Sequence, residues 1–229
     1  MTSEEFAGLI DHTLLSPTAT GADYKQLCVE AVECGFYSVC VPSSRVELAV
    51  SETEDSSVRV CSVVGFPFGY ADADSKRYET EVAVDLGAHE IDVVLNLGLV
   101  KEKADSHIFR ELRDVVEAAD ERPVKVILET GLLDEDEIVR LLELFKKTGA
   151  HFVKTSTGFG PRGASVEDVQ LLREHVGPGY GVKASGGIRD CPTALAMIEA
   201  GANRLGTSAS VRILEQFRDA ESDLASSAE

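Results

Sequence analysis

Two stretches near the middle of the chain alternate aliphatic and polar side chains. In Glu90-Ile91-Asp92-Val93-Val94-Leu95-Asn96, Val93 and Leu95 fall on one parity and Asp92, Val94 and Asn96 on the other. In Val124-Lys125-Val126-Ile127-Leu128-Glu129, Val124, Val126 and Leu128 alternate with Lys125, Ile127 and Glu129. A period of two marks a strand with two unlike faces. Further strands are expected at 10–15, 36–41, 58–64, 179–185 and 204–207, and one more from His151 through Phe152-Val153-Lys154-Thr155-Ser156-Thr157-Gly158. Apolar residues at helical spacing predict helices over 2–10, 20–34, 43–53, 74–86, 106–119, 134–147, 165–175, 192–200 and 209–224. Ala225 to Glu229 is expected to fray.

Eight strands, each followed by a helix, in 229 residues predict an α/β chain folded as a single (β/α)8 barrel domain with a short N-terminal helix. The intervals agree: 33 residues separate Asp92 from Lys125, and 29 separate Lys125 from Lys154 and Lys154 from Lys183. Each interval fits one strand, one helix and two loops. No linker or low-complexity stretch interrupts the series.

In such a barrel the aliphatic parity packs on the helices and the other faces the lumen. Asp92, Lys125, Lys154 and Lys183 are therefore expected to point inward. A lone lysine in an apolar strand commonly sits at the strand end and reaches water along its own stem. Four charged residues on successive strands are costly unless they pair. A structural ion-pair network is one outcome; the other is chemistry. An ammonium deprived of water and set beside a second ammonium favours the neutral amine, a nucleophile toward carbonyls. With Asp92 to move protons and Lys125 to orient it, that set suits Schiff-base formation and carbon–carbon bond cleavage.

Two later loops add a second element. Ser185-Gly186-Gly187-Ile188-Arg189 follows strand seven and Gly206-Thr207-Ser208 follows strand eight. Loops at these places in a barrel, with a helix N-terminus, commonly hold phosphate through backbone N–H groups.

Composition narrows the partners. Forty acidic against 22 basic residues give a net charge of −18, which disfavours nucleic acid and anionic membranes. The excess resembles that of proteins from salt-loving organisms, although an ordinary acidic cytosolic enzyme would share it. No apolar run approaches a membrane span and the start lacks a positive leader, so a cytoplasmic protein is expected. The five cysteines lack a Cys-x-x-Cys pair and the five histidines are scattered, so reduced thiols, no metal and no cofactor are expected.

Together, Ile10-Asp11-His12-Thr13-Leu14-Leu15, Gly65-Phe66-Pro67, Glu90 to Val94, Lys125 to Thr130, Phe152 to Gly158, Lys183 to Arg189 and Gly206 to Ser208 resemble the deoxyribose-phosphate aldolase family over nearly the whole chain. The Lys-Thr-Ser-Thr-Gly and Lys-Ala-Ser-Gly-Gly-Ile-Arg pieces are the specific ones. The resemblance implies reversible cleavage of 2-deoxy-D-ribose 5-phosphate to acetaldehyde and D-glyceraldehyde 3-phosphate. By it, Lys154 forms the carbinolamine and Schiff base, Asp92 carries protons through a water, and Lys183 keeps Lys154 reactive and shares in the relay. Gly158, Gly186, Gly187, Gly206 and Ser208 would grip the phosphate, with Arg189 adding charge. Cys40 would line the pocket, and Lys125, Asp11 and Thr13 would support it. Two features depart from the family: the tail has no tyrosine, and Ala209 stands where a second serine often follows. Another class I aldolase acting on a different sugar phosphate, and a non-catalytic sugar-phosphate-binding barrel, are the competing readings. A homo-oligomer, dimer or tetramer, is expected because barrels of this kind often self-associate.

Overall fold

The strand signals resolve, in the computed structural model, into β1 (Ile10–Thr13), β2 (Ser38–Pro42), β3 (Arg59–Val64), β4 (Glu90–Val94), β5 (Val124–Ile127), β6 (Phe152–Lys154), β7 (Gly181–Ser185) and β8 (Arg204–Thr207). The structure describes residues 1–227, with side chains through residue 223. All eight strands are parallel and hydrogen-bond in chain order, and β8 returns to β1 to close the barrel. Around it run α1 (Ser3–Ala7), α2 (Gly21–Cys34), α3 (Val46–Thr53), α4 (Ala73–Asp85), α5 (Leu97–Lys101), α6 (Asp105–Ala118), α7 (Glu135–Phe145), α8 (Val166–Val176), α9 (Cys191–Glu199) and α10 (Ser210–Ser227).

Local chemistry sets the ends of these elements. Thr2 with Glu5, Thr20 with Asp23 and Asp134 with Glu137 form capping boxes at α1, α2 and α7. Gly35 ends α2 in the left-handed conformation, φ 70°. No helix is expected from the sequence between 86 and 106, whereas the structure forms α5 there. Asn96 caps it, its Oδ1 accepting from Leu99 N at 3.4 Å, so the lumen-facing series of β4 ends at Val94 rather than Asn96. Strand six is shorter than expected, running only from Phe152 to Lys154. The end expected to fray is helical through Ser227, and Ala228 and Glu229 lie outside the described residues. Among the described residues no helix is long and apolar enough to cross a membrane.

The two parities separate two interiors. Val93, Val126, Val153, Val182 and Leu205 belong to the aliphatic layer between strands and helices. Cys40, Cys61 and Val63 form a small apolar group inside the lumen. At the N-terminal end of the strands Phe152 lies across β7, where a Cβ on Gly181 would meet its ring at 2.1 Å. The Arg204 guanidinium stacks 3.4 Å over the Tyr37 ring centroid beside it. Outside β4, buried Lys76 of α4 bonds Glu111 of α6 at 2.7 Å and the Val94 carbonyl at 2.9 Å. This pair secures the two helices behind the strand that carries Asp92.

Candidate active site

Register places the charged side chains opposite one another. Asp92 faces Lys125 across β4 and β5, and Lys154 faces Lys183 across β6 and β7. All four are buried. Asp92 Oδ2 accepts from Lys154 Nζ at 2.7 Å and from Lys183 Nζ at 2.8 Å, and Oδ1 accepts from Lys125 Nζ at 2.8 Å. Lys183 also lies 2.5 Å from Asp11 Oδ2, and Lys125 lies 2.6 Å from Glu90 Oε2. Arg204 bridges Asp11 at 2.9 Å and Glu90 at 3.2 Å, and Tyr37 donates to Glu90 at 3.1 Å. The lumen thus holds a continuous network of three carboxylates (Asp11, Glu90, Asp92) and four basic groups (Lys125, Lys154, Lys183, Arg204).

Such a buried network persists because each charge is compensated at contact distance. Burial works against ionisation of Asp92, but Lys125, Lys154 and Lys183 outweigh it and hold the carboxyl well below the usual carboxylate range. Burial is likewise outweighed at Asp11, where Lys183 and Arg204 hold the carboxyl down. The same contacts act in reverse on the lysines. Lys125 and Lys183 are raised above the ordinary lysine value, since Asp92 with Cys61 and Glu90, and Asp11 with Asp92, overcome desolvation. Lys183 is therefore a fixed cation.

Cys40 does not line the open cavity; it is buried beside Cys61, and that thiol donates to Asp92 Oδ1 at 3.1 Å. The contact with Cys61 outweighs burial and, with Lys183, lowers the Cys40 thiol, whereas burial pushes the Cys61 thiol up. The donor atoms of Cys40, Cys61 and Asp92 lie within 4.8 Å of one another. Three ammonium groups already occupy the Asp92 oxygens, so a metal cation would enter this set only by displacing lysines.

Above the network opens a cavity of about 490 Å³, with Lys154 among its lining residues. Thr13, Gly158, Gly186, Gly187, Arg189, Gly206 and Ser208 line it as well. Thr13 donates its hydroxyl to the Asp11 carbonyl at 2.8 Å. The two glycine loops touch: a Cβ on Gly186 would lie 3.3 Å from the Gly158 Cα. Among the described residues, the backbone N–H groups of Gly158, Gly186, Gly187 and Ser208 have no acceptor within the chain. Free N–H groups converging beside the start of α10 form a nest for an anion. Gly206 does more than line the wall, because a Cβ there would come 2.9 Å from Lys183 Cε.

A lysine at the floor, a carboxylate beneath it and an anion nest at the rim match the layout of a Schiff-base aldolase. The family model described as DeoC/LacD family aldolase matches residues 6–212. The chain belongs to that family. Among DeoC/LacD relatives, the deoxyribose-phosphate aldolase of Alkaliphilus oremlandii (strain OhILAs) is 51% identical over 214 residues, covering 93% of this chain and 96% of that one. The deoxyribose-phosphate aldolase of Thermococcus gammatolerans is 50% identical over 226 residues, covering 96% and 100%. A solved structure described as the unique tetrameric structure of deoxyribose phosphate aldolase from Aeropyrum pernix superposes with a TM-score of 0.90 at 37% identity, covering 96% and 93%.

Sequence reasoning placed the DeoC/LacD lysines and Asp92 in one lumen and the glycines at one rim. It missed Glu90, Arg204 and Cys61 as members of the network. Glu90 stands two residues before Asp92 on the same parity and was legible in principle. Arg204 opens a four-residue strand, too short for an alternation to show.

Proposed function

We propose that this chain catalyses the reversible cleavage of 2-deoxy-D-ribose 5-phosphate to D-glyceraldehyde 3-phosphate and acetaldehyde, acting as one barrel domain. The observation that carries this is the sharing of Asp92 Oδ2 by Lys154 and Lys183, with Lys154 facing the cavity and Lys183 buried behind it. Three carboxylates balance three of the four basic groups. Lys154, with one carboxylate contact and a place at the cavity floor, is the group whose proton can leave without unbalancing the rest.

The free amine of Lys154 adds to the substrate aldehyde carbon, and loss of water gives the iminium. Electrons of the C2–C3 bond flow to the iminium nitrogen as the C3 hydroxyl loses its proton and becomes the aldehyde of the phosphorylated product. The enamine left on Lys154 takes a proton at C2, and water then releases acetaldehyde. Asp92 supplies the fixed negative charge beside the iminium. Because three lysines hold that carboxylate, it passes a proton only as one of those contacts loosens, while Lys183 keeps its charge and holds the carboxylate in place instead of sharing the relay. The phosphate sits on the Gly158, Gly186, Gly187 and Ser208 N–H groups, with Arg189 at the exposed rim.

Borohydride reduction in the presence of acetaldehyde, followed by peptide mass analysis, tests the reading. A reduced adduct on Lys154 is expected. Trapping of a longer ketone but not acetaldehyde would point to another class I aldolase, and phosphate-ester binding without any adduct would point to a non-catalytic barrel. The Aeropyrum pernix relative supports a tetramer, and the reduced, unpaired cysteines suit a cytoplasmic location.

A further inference from the structure

Behind the anion nest stands a residue that touches neither the lysine network nor the main cavity. Glu129 follows β5 in the left-handed backbone region, φ 56° and ψ 59°. Of the non-glycine residues with positive φ, Lys103, Asp120 and Glu121 are exposed and Glu129 is buried. The Cβ of any residue but glycine makes that conformation costly by about 1–2 kcal/mol. Its carboxylate carries a second cost: Oε1 is buried and has no hydrogen-bond partner.

The other oxygen explains what these costs sustain. Glu129 Oε2 accepts from Thr157 N at 3.2 Å and from the Thr157 hydroxyl. That hydroxyl in turn accepts from Phe159 N at 3.0 Å. In the turn 157–159 the two flanking N–H groups are thereby consumed, and the Gly158 N–H is left to the cavity. Gly160 lets the turn close down, since a Cβ there would lie 2.6 Å from Glu129 Oε1. Thr130 N, one residue on, bonds the Thr155 carbonyl at 2.9 Å and fixes Glu129 to the strand that bears Lys154.

We propose that Glu129 is a positioning residue for the phosphate group, fixing the 157–160 turn so that the Gly158 N–H faces the substrate's phosphate. This rests on the aldolase reading of the same cavity and adds to it the residue that sets discrimination for a phosphorylated over an unphosphorylated sugar. Glu129 acts through Thr157 and does not touch the substrate.

Glu129→Leu removes the acceptor, and Glu129→Gln keeps one oxygen for Thr157. Gly160→Ala displaces the carboxylate by contact instead, so the idea stays testable if the leucine variant fails to fold. The leucine and alanine variants should lose roughly 10- to 100-fold in kcat/KM for 2-deoxyribose 5-phosphate, mostly through KM, and stay within about 3-fold on unphosphorylated 2-deoxyribose. The glutamine variant should stay within about 3-fold on both substrates. Calorimetric binding of sn-glycerol 3-phosphate should weaken in parallel in the leucine and alanine variants.

An equal loss on both sugars, or unchanged glycerol 3-phosphate binding in both of those variants, would overturn the proposal. If the unmodified protein bound the ester but did not cleave deoxyribose 5-phosphate, the aldolase reading alone would fail, and the binding series would still decide the role of Glu129.

Discussion

Replacing Lys183 by methionine removes a charge while keeping most of the side-chain volume. The Lys154 and Lys183 nitrogens lie 2.7 and 2.8 Å from the same oxygen, so they are at most 5.5 Å apart, the sum of the two distances. At about 5 Å and an effective dielectric constant of about 20, two unit charges repel by about 3 kcal/mol, roughly a hundredfold in the equilibrium between ammonium and amine. The loss also frees Asp92 to attract the remaining ammonium more strongly, which acts in the same direction. Adduct formation with acetaldehyde at pH 7 is therefore expected to slow about 100-fold, with the deficit narrowing as pH rises. The assay is the initial rate of borohydride-trapped adduct from pH 6 to 10, with folding checked by urea midpoint. Because Lys183 is raised above the ordinary lysine value, the parent protein should show no loss from its deprotonation across that range. Unchanged trapping at pH 7, or a deficit that persists undiminished at high pH in a folded variant, would refute the electrostatic role.

Gly206→Ala places a Cβ 2.9 Å from Lys183 Cε, so turnover should fall about 10-fold without a matching loss of glycerol 3-phosphate binding, read by steady-state kinetics and calorimetry. Lys76→Met leaves Glu111 buried and unpaired, at a cost of about 3–5 kcal/mol in urea denaturation. Where that variant is folded, Lys154 should still be trapped at the parent's rate. The stability difference between the parent and Asp11→Asn should be flat above about pH 5, because the carboxyl's folded value lies below its unfolded value of about 3.9. It should shrink as pH falls below about 4, and urea midpoints from pH 7 to 3 would show it; a difference that grew with acid would contradict the pairing.

The barrel was legible because each strand from Asp92 to Lys183 repeats the same apolar parity, and spacing alone set the intervals between the charged positions. Lys125, Lys154 and Lys183 could be read as inward-facing for the same reason. What alternation does not reveal is who pairs with whom: the contact of Lys183 with Asp11, and of Arg204 with both Asp11 and Glu90, depends on barrel closure, which joins the first strand to the last. Glu129 shares the parity of Lys125 in the sequence, but β5 ends at Ile127 and Glu129, left-handed beyond the strand end, escapes the alternation. Its backbone conformation and its bond to Thr157 follow from a turn whose shape no periodicity encodes.

The ring of Phe152 lying over Gly181, with Arg204 and Tyr37 packed beside it, seals the end of the barrel opposite the mouth. Traffic through the site then follows a one-door rule. The two-carbon fragment is anchored deepest, so in cleavage the phosphorylated aldehyde departs first and the small aldehyde second. In synthesis the order of entry reverses, with acetaldehyde loaded before its acceptor.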